Sequence, residues 1–125
     1  MTKFLSDEYF SLVQTALAQD AKWTESTKNF RSTMAINVSD MGQNYLLSVE
    51  NGTTTLQKVQ PGAQAEFTLD GTYEAWTKIA KGDVDIQAAV LKGQLKFKGS
   101  LTKALMYKDK LMRVAEILRD VPKEY

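Results

Sequence analysis

Gly93-Gln-Leu-Lys-Phe-Lys-Gly-Ser-Leu-Thr-Lys-Ala-Leu105 decides the fold class of this chain. Leu95 and Phe97 fall on one side of a short extended segment, and Gln94, Lys96 and Lys98 fall on the other. That is the period-two pattern of a strand with one dry and one wet face. Gly93 and Gly99 bound it, and Ser100 stands where a helix N-cap belongs. Leu101, Leu105, Met112, Ala115 and Leu118 then recur at helical spacing, which predicts one long helix to about Arg119, ending before Pro122. A half-dry strand running straight into an amphipathic helix suggests the wall of an apolar pocket.

Upstream, Ser6 is an N-cap for a first helix with Asp7 and Glu8 in its first turn and Tyr9, Phe10, Val13, Ala16 and Leu17 along one side. Gln19 to Lys28 is polar apart from Trp23 and reads either as a link or as an extension of that helix. Met34, Ile36 and Val38 alternate, as do Tyr45, Leu47 and Val49, and Asn51-Gly52 is a hairpin signal because a type I′ turn needs two positive-φ residues. Thr53 to Val59 pairs back, Pro61-Gly62 closes it, and Ala65, Phe67 and Leu69 mark a fourth strand. Tyr73, Trp76, Ile79 and Ala80 form a helical stripe stopped at Gly82, and Asp83 or Asp85 caps a shorter helix carrying Ile86, Ala89 and Val90. Helix, four strands, two short helices, a fifth strand and a long helix predict an α+β fold. Its helices pack on one face of a five-stranded, mainly antiparallel sheet.

At 125 residues, 43% apolar and 25% charged, the composition predicts a single domain over 1–125 with one core. The chain has no cysteine and no histidine, which removes thiol nucleophiles, disulfides, imidazole bases and almost every zinc site. No metal, cofactor or enzymatic activity is expected. No apolar run approaches the ~20 residues of a spanning helix. Met1-Thr-Lys-Phe-Leu-Ser-Asp-Glu8 has no signal-peptide character, and Lys123-Glu-Tyr125 is not a peroxisomal Ser-Lys-Leu address, so a cytoplasmic location is expected. On that expectation, the sequons at Asn37 and Asn51 belong to turn and strand chemistry.

Several motifs compete with simpler structural roles. Ser100-Leu-Thr-Lys103 matches a Ser-x-x-Lys nucleophile pair, but no Ser-Asp-Asn or Lys-Thr-Gly partner accompanies it and Ser100 sits at a cap position. The glycines flanking Gly93 to Ser100 lack a lysine after the second glycine, which argues against a phosphate loop. Asp83 and Asp85 stand beside a helix start, where acids favour the helix dipole. Lys92 to Arg113 holds seven basic residues against Asp109 alone, in a chain whose net charge is +1. The segment is either a solvated face or a contact for an acyl-CoA phosphate or an anionic membrane. Nucleic acid is disfavoured, because no exposed aromatics interleave with its lysines.

Gly93-x-Leu-x-Phe-Lys-Gly99 followed by a Leu/Ala/Met helix resembles the C-terminal part of the sterol carrier protein family. Asn51-Gly52, the Trp76 helix, Lys81-Gly-Asp83 and Ile86 to Gly93 extend the resemblance in order over roughly Asn29 to Leu118. It implies a non-catalytic carrier of sterols, fatty acids or fatty acyl-CoA, with sheet and helices around an apolar tunnel. The wall expected on that basis draws on Phe10, Trp76, Ile79, Leu95, Phe97, Leu101, Leu105 and Met112. If strand and helix edge the tunnel, Lys96, Lys98 and Lys103 face lipid headgroups. The spacing of apolar residues alone describes a solid core equally well. The alternative is an accessory module that presents lipid to a partner enzyme or pairs with a second copy of itself.

Overall fold

The computed structural model describes residues 2–125. Ser6 accepts from the Tyr9 N–H and opens α1, Asp7–Gln19. Asp20 ends it and, by accepting from the Trp23 N–H at 2.9 Å, starts α2, Ala21–Ser26. The polar link is therefore a second short helix. Four strands follow: β1 Arg31–Val38, β2 Gln43–Glu50, β3 Thr53–Lys58 and β4 Phe67–Gly71. Then come α3 Tyr73–Ala80, α4 Ile86–Leu91, β5 Lys96–Lys98, α5 Leu101–Met106 and α6 Lys108–Asp120.

The five strands lie in the order β3-β2-β1-β4-β5. All neighbours are antiparallel except β1 and β4, which run parallel with Met34 beside Phe67 and Ile36 beside Leu69. Asn51 and Gly52 make the β2–β3 turn with φ of 49° and 85°, the two positive values that a type I′ hairpin needs. The expected α+β class with a mainly antiparallel sheet holds.

Met34, Ile36, Val38, Tyr45, Leu47, Val49, Phe67 and Leu69 are buried on the dry face. Alpha-helix α1 packs against β3, α3 against β4, and α6 against both α1 and α3. Phe10 stacks on Tyr45 with ring centroids 3.9 Å apart, and the Tyr9 hydroxyl donates to the Leu118 carbonyl at 2.6 Å, tying α1 to α6. Burial pushes the Tyr9 phenol far above its ordinary pKa, so it stays a neutral donor. Phe4 and Leu5 complete the core, and Glu124 bonds back to Thr2 and Phe4 in a parallel bridge. Among the described residues, no helix is long and apolar enough to cross a membrane.

The single C-terminal helix expected from periodicity is two helices. They meet at Tyr107, whose ring stands edge-on to Phe30 at 4.7 Å and to Phe67 at 5.6 Å. Seating that ring on the sheet breaks the helix, while the apolar spacing on either side stays helical and conceals the break.

Candidate functional site

Beneath α5 lies an apolar cavity of about 180 Å³. The sheet supplies Met34, Phe67, Leu69 and Phe97; α4 supplies Ile86, Val90 and Leu91; α5 supplies Leu101, Ala104 and Leu105. Leu111 of α6 closes it, and Gln87 is the polar side chain in the wall. Three local features place these groups. Asp85 caps α4 by accepting from the Ala88 N–H at 2.7 Å, Ser100 caps α5 by accepting from the Lys103 N–H at 3.2 Å, and β5 turns Phe97 to the dry face opposite Leu69.

Two further spaces adjoin the first. One of about 200 Å³ between α3, α4 and α6 shares Ile86, Gln87 and Leu111 with it, and carries Lys108, Glu116 and Arg119 with Met112 and Ile79. A small one of about 30 Å³ next to Trp23, Phe30 and Tyr107 shares Met34, Phe67 and Leu111. Leu111 thus borders all three. The wall of the first cavity is hydrocarbon apart from Gln87, and charged side chains enter at the second, from Asp85 at the start of α4 and from Lys108, Glu116 and Arg119 of α6, an arrangement able to bury an alkyl chain and leave a polar end in water.

The expected wall residues divide into two groups. Phe97, Leu101 and Leu105 meet in the first cavity, and Ile79 and Met112 in the second. Phe10, Trp76 and Leu95 line neither and are solid core. Phe10 is held by Tyr45, the Trp76 indole N–H donates to the Asn37 carbonyl at 3.0 Å, and Leu95 is 1% exposed beside Gly71. Apolar spacing marks a dry face without separating the part that touches protein from the part that borders space. Met34, Phe67, Leu69, Ile86, Val90, Leu91 and Leu111 were missed as wall residues. Most of them sit on stripes already visible in the sequence, but Leu111 needed the break at Tyr107 to be known.

The lysines also divide. Lys103 Nζ lies 3.2 Å from Glu66 Oε2 and fastens α5 to the residue before β4. The Ser32 hydroxyl, and after it Lys103, hold the Glu66 carboxyl below the usual carboxylate range. The Lys103 ammonium is thus paired with Glu66, while its backbone N–H donates to Ser100 Oγ as the helix cap. Lys96 and Lys98 line a polar groove on the opposite face of the sheet with Asn37, Thr68 and Asp70, away from the apolar cavity. Their expected headgroup role does not fit that position.

Residues 13–112 match a family model described as the SCP-2 sterol transfer family. No curated protein matches the chain by sequence. Among solved structures it is similar to a crystal structure of sterol carrier protein 2, with 16% identity, TM-score 0.78, and coverage of 94% of this chain and 98% of that one. It is also similar to a conserved protein of Thermus thermophilus described as possibly a sterol carrier protein, with 14% identity, TM-score 0.79, and coverage of 99% and 93%. A stereoselective inverting sec-alkylsulfatase from Pseudomonas sp. is similar at 20% identity and TM-score 0.63; the match covers 95% of this chain and 16% of that one. At these identities the structural likenesses establish the fold.

Proposed function

The chain belongs to the SCP-2 sterol transfer family, and from that premise we propose that it is a non-catalytic lipid carrier. The cargo is a sterol, a fatty acid or a fatty acyl-CoA. The observation that carries this is the hydrocarbon-walled cavity under α5, which shares Leu111 and Ile86 as walls with the space between α4 and α6. An acyl chain or sterol ring laid there removes apolar surface from water at about 25 cal/mol per Å², with no covalent step required. Met34 and Met112 suit such a wall, because an unbranched thioether adapts to differently shaped hydrocarbon.

Native mass spectrometry of freshly purified protein tests the proposal. The expected result is a population carrying the mass of one lipid, together with delipidated protein whose melting temperature rises when a long-chain fatty acid is added. Protein that carries no lipid and does not respond to fatty acid, sterol or acyl-CoA would overturn it.

An accessory role is the second reading. The same fold occupies a small part of the sec-alkylsulfatase, and it occurs in a solved structure described as a UbiJ-SCP2 ubiquinone synthesis protein, of which the match covers 93%. In that role the chain presents bound lipid to a separate enzyme. A partner that co-purifies at fixed stoichiometry, and whose turnover of a lipid substrate depends on this chain, would favour it.

A further inference from the structure

We propose that the polar face of the sheet, the side away from the apolar cavity, carries a second binding site, for a small soluble amino-dicarboxylate of the acidic amino acid type. Residues 59–66 cross from β3, at one edge of the sheet, to β4 on the far side of β2 and β1. The crossing runs over the polar face as a strap pinned at both ends. The Val59 N–H donates to the Asn44 carbonyl at 2.9 Å, and the Glu66 N–H donates to the Thr33 hydroxyl at 2.9 Å. Between strap and strands lies a groove of about 770 Å³. Strand register orders its floor, with Lys96 opposite Asp70, Asp70 beside Asn37, and Lys98 opposite Thr68.

Unmet bonding capacity in that groove selects the ligand. None of Asn37, Thr68, Asp70, Lys96 and Lys98 bonds through its side chain to another described residue. Asp70 Oδ1 is shut off from solvent and still accepts nothing, whereas Glu66 in the same wall is satisfied by Ser32 and Lys103. A buried carboxylate oxygen without a donor is costly, and an ammonium supplies one of the strongest donors. Lys96 and Lys98 share one face of β5 about 6.6 Å apart, two rises along the strand, and each can neutralise an anionic group. One carboxylate beside two ammonium groups is the complement of a molecule with one ammonium and two carboxylates. Other occupants fit less well. No aromatic side chain lines the groove for a base to stack on, and no cluster of metal-ligating side chains occurs among the described residues. A plain anion would set its charge against Asp70. The sheet separates this groove from the apolar cavity, so the site does not depend on the carrier function.

Titration of isotope-labelled protein with L-glutamate, followed through its backbone amide resonances, tests the site. Saturable shifts are expected at Thr68, Asp70, Lys96 and Lys98, with the amides of Leu105 and Leu111 unmoved. Glutarate lacks the ammonium and α-aminobutyrate lacks the distal carboxylate. Each should bind at least about tenfold more weakly, the loss of one charge-assisted hydrogen bond. Asp70→Asn keeps the shape and should bind glutarate as tightly as glutamate. Lys96→Gln with Lys98→Gln should lose both ligands at an unchanged melting temperature, because exposed substitutions seldom alter stability. A wild type that gives no saturable shift with glutamate would overturn the proposal. So would a wild type that binds glutarate as tightly as glutamate, or shifts that survive both the Asp70 and the lysine variants.

Discussion

Arg113 on α6 is clamped to Asp20, the residue between α1 and α2, with its Nε 2.9 Å from Oδ2 and a second guanidinium nitrogen on Oδ1. The same Oδ2 accepts from the Trp23 N–H, so one carboxylate caps α2 and ties the N-terminal helices to the helix that closes the cavity. The two side chains are only 14% and 23% exposed, which spares the pair most of the screening that weakens surface ion pairs.

Asp20→Ala should therefore cost about 2 kcal/mol, and Asp20→Asn about 1 kcal/mol because asparagine still caps. The Arg113 hydrogen bond holds the Asp20 carboxyl below its ordinary 3.8. The unfolded chain thus takes up the proton first as pH falls. Stability from this group is complete above about pH 5 and is lost as pH drops through 3.8 to the lowered native value. Urea unfolding at about pH 7 and about pH 3 should show the wild type converging on Asp20→Asn in acid.

Gly99 joins β5 to α5 with φ of 130°, and a Cβ there would lie 2.6 Å from the Glu66 carbonyl oxygen and 3.0 Å from Phe67 Cδ1. Neither neighbour yields easily, since one is backbone and the other is a cavity wall. Gly99→Ala should destabilise by about 2 kcal/mol or more. Hydrogen exchange should locate the damage at the β4–β5 pairing, leaving β1–β2 protected.

Ser100, the residue that follows, accepts from the Lys103 N–H as the cap of α5. Its substitution by alanine should cost about 1 kcal/mol and leave ester and acyl-thioester hydrolysis where it stood, at background. Turnover that disappears with Ser100→Ala at unchanged stability would identify a nucleophile and overturn the non-catalytic reading.

Strands were the most legible part of the chain. Met34/Ile36/Val38 and Tyr45/Leu47/Val49 alternate cleanly because one face is dry, and Asn51-Gly52 fixes the register between β2 and β3. The parallel pairing of β1 with β4 was not legible, since alternation has no direction. The caps Ser6, Asp85 and Ser100 were readable from residue type, whereas Asp20 was not, because Trp23 sits in an otherwise polar stretch. Phe97, Leu101 and Leu105, on which the strand and helix patterns converge, border the cavity. Phe10, Trp76 and Leu95 carry the same pattern and pack solidly, so only coordinates separate them.

Trp23 illustrates a second kind of hidden constraint. Its indole N–H donates to the Thr54 hydroxyl at 2.7 Å, joining α2 to β3 in a buried pair. Thr54→Val keeps the shape but leaves that N–H without a partner, which should cost about 1–3 kcal/mol. Thr54→Ser should retain most of the stability, and chemical denaturation of the two variants side by side distinguishes loss of the hydrogen bond from loss of a methyl group.

Leu105 and Met112 border different parts of the apolar space, the first cavity and the second, yet are 65% and 50% exposed. That combination makes them probes of occupancy and not of folding. An indole at either position has room on the solvent side, so Leu105→Trp and Met112→Trp should each keep the melting temperature within a degree or two, as surface substitutions generally do. The same indole, turned inward, fills space that hydrocarbon cargo would use. Leu105→Trp should therefore block uptake of a long-chain fatty acid if the chain lies beneath α5. Met112→Trp should shorten the longest chain accepted if the far end continues towards α6. Titration with fatty acids of increasing length measures both effects. Variants that unfold, in a protein whose wild type gives no ligand-dependent shift, would show that the apolar space is core and not a binding site.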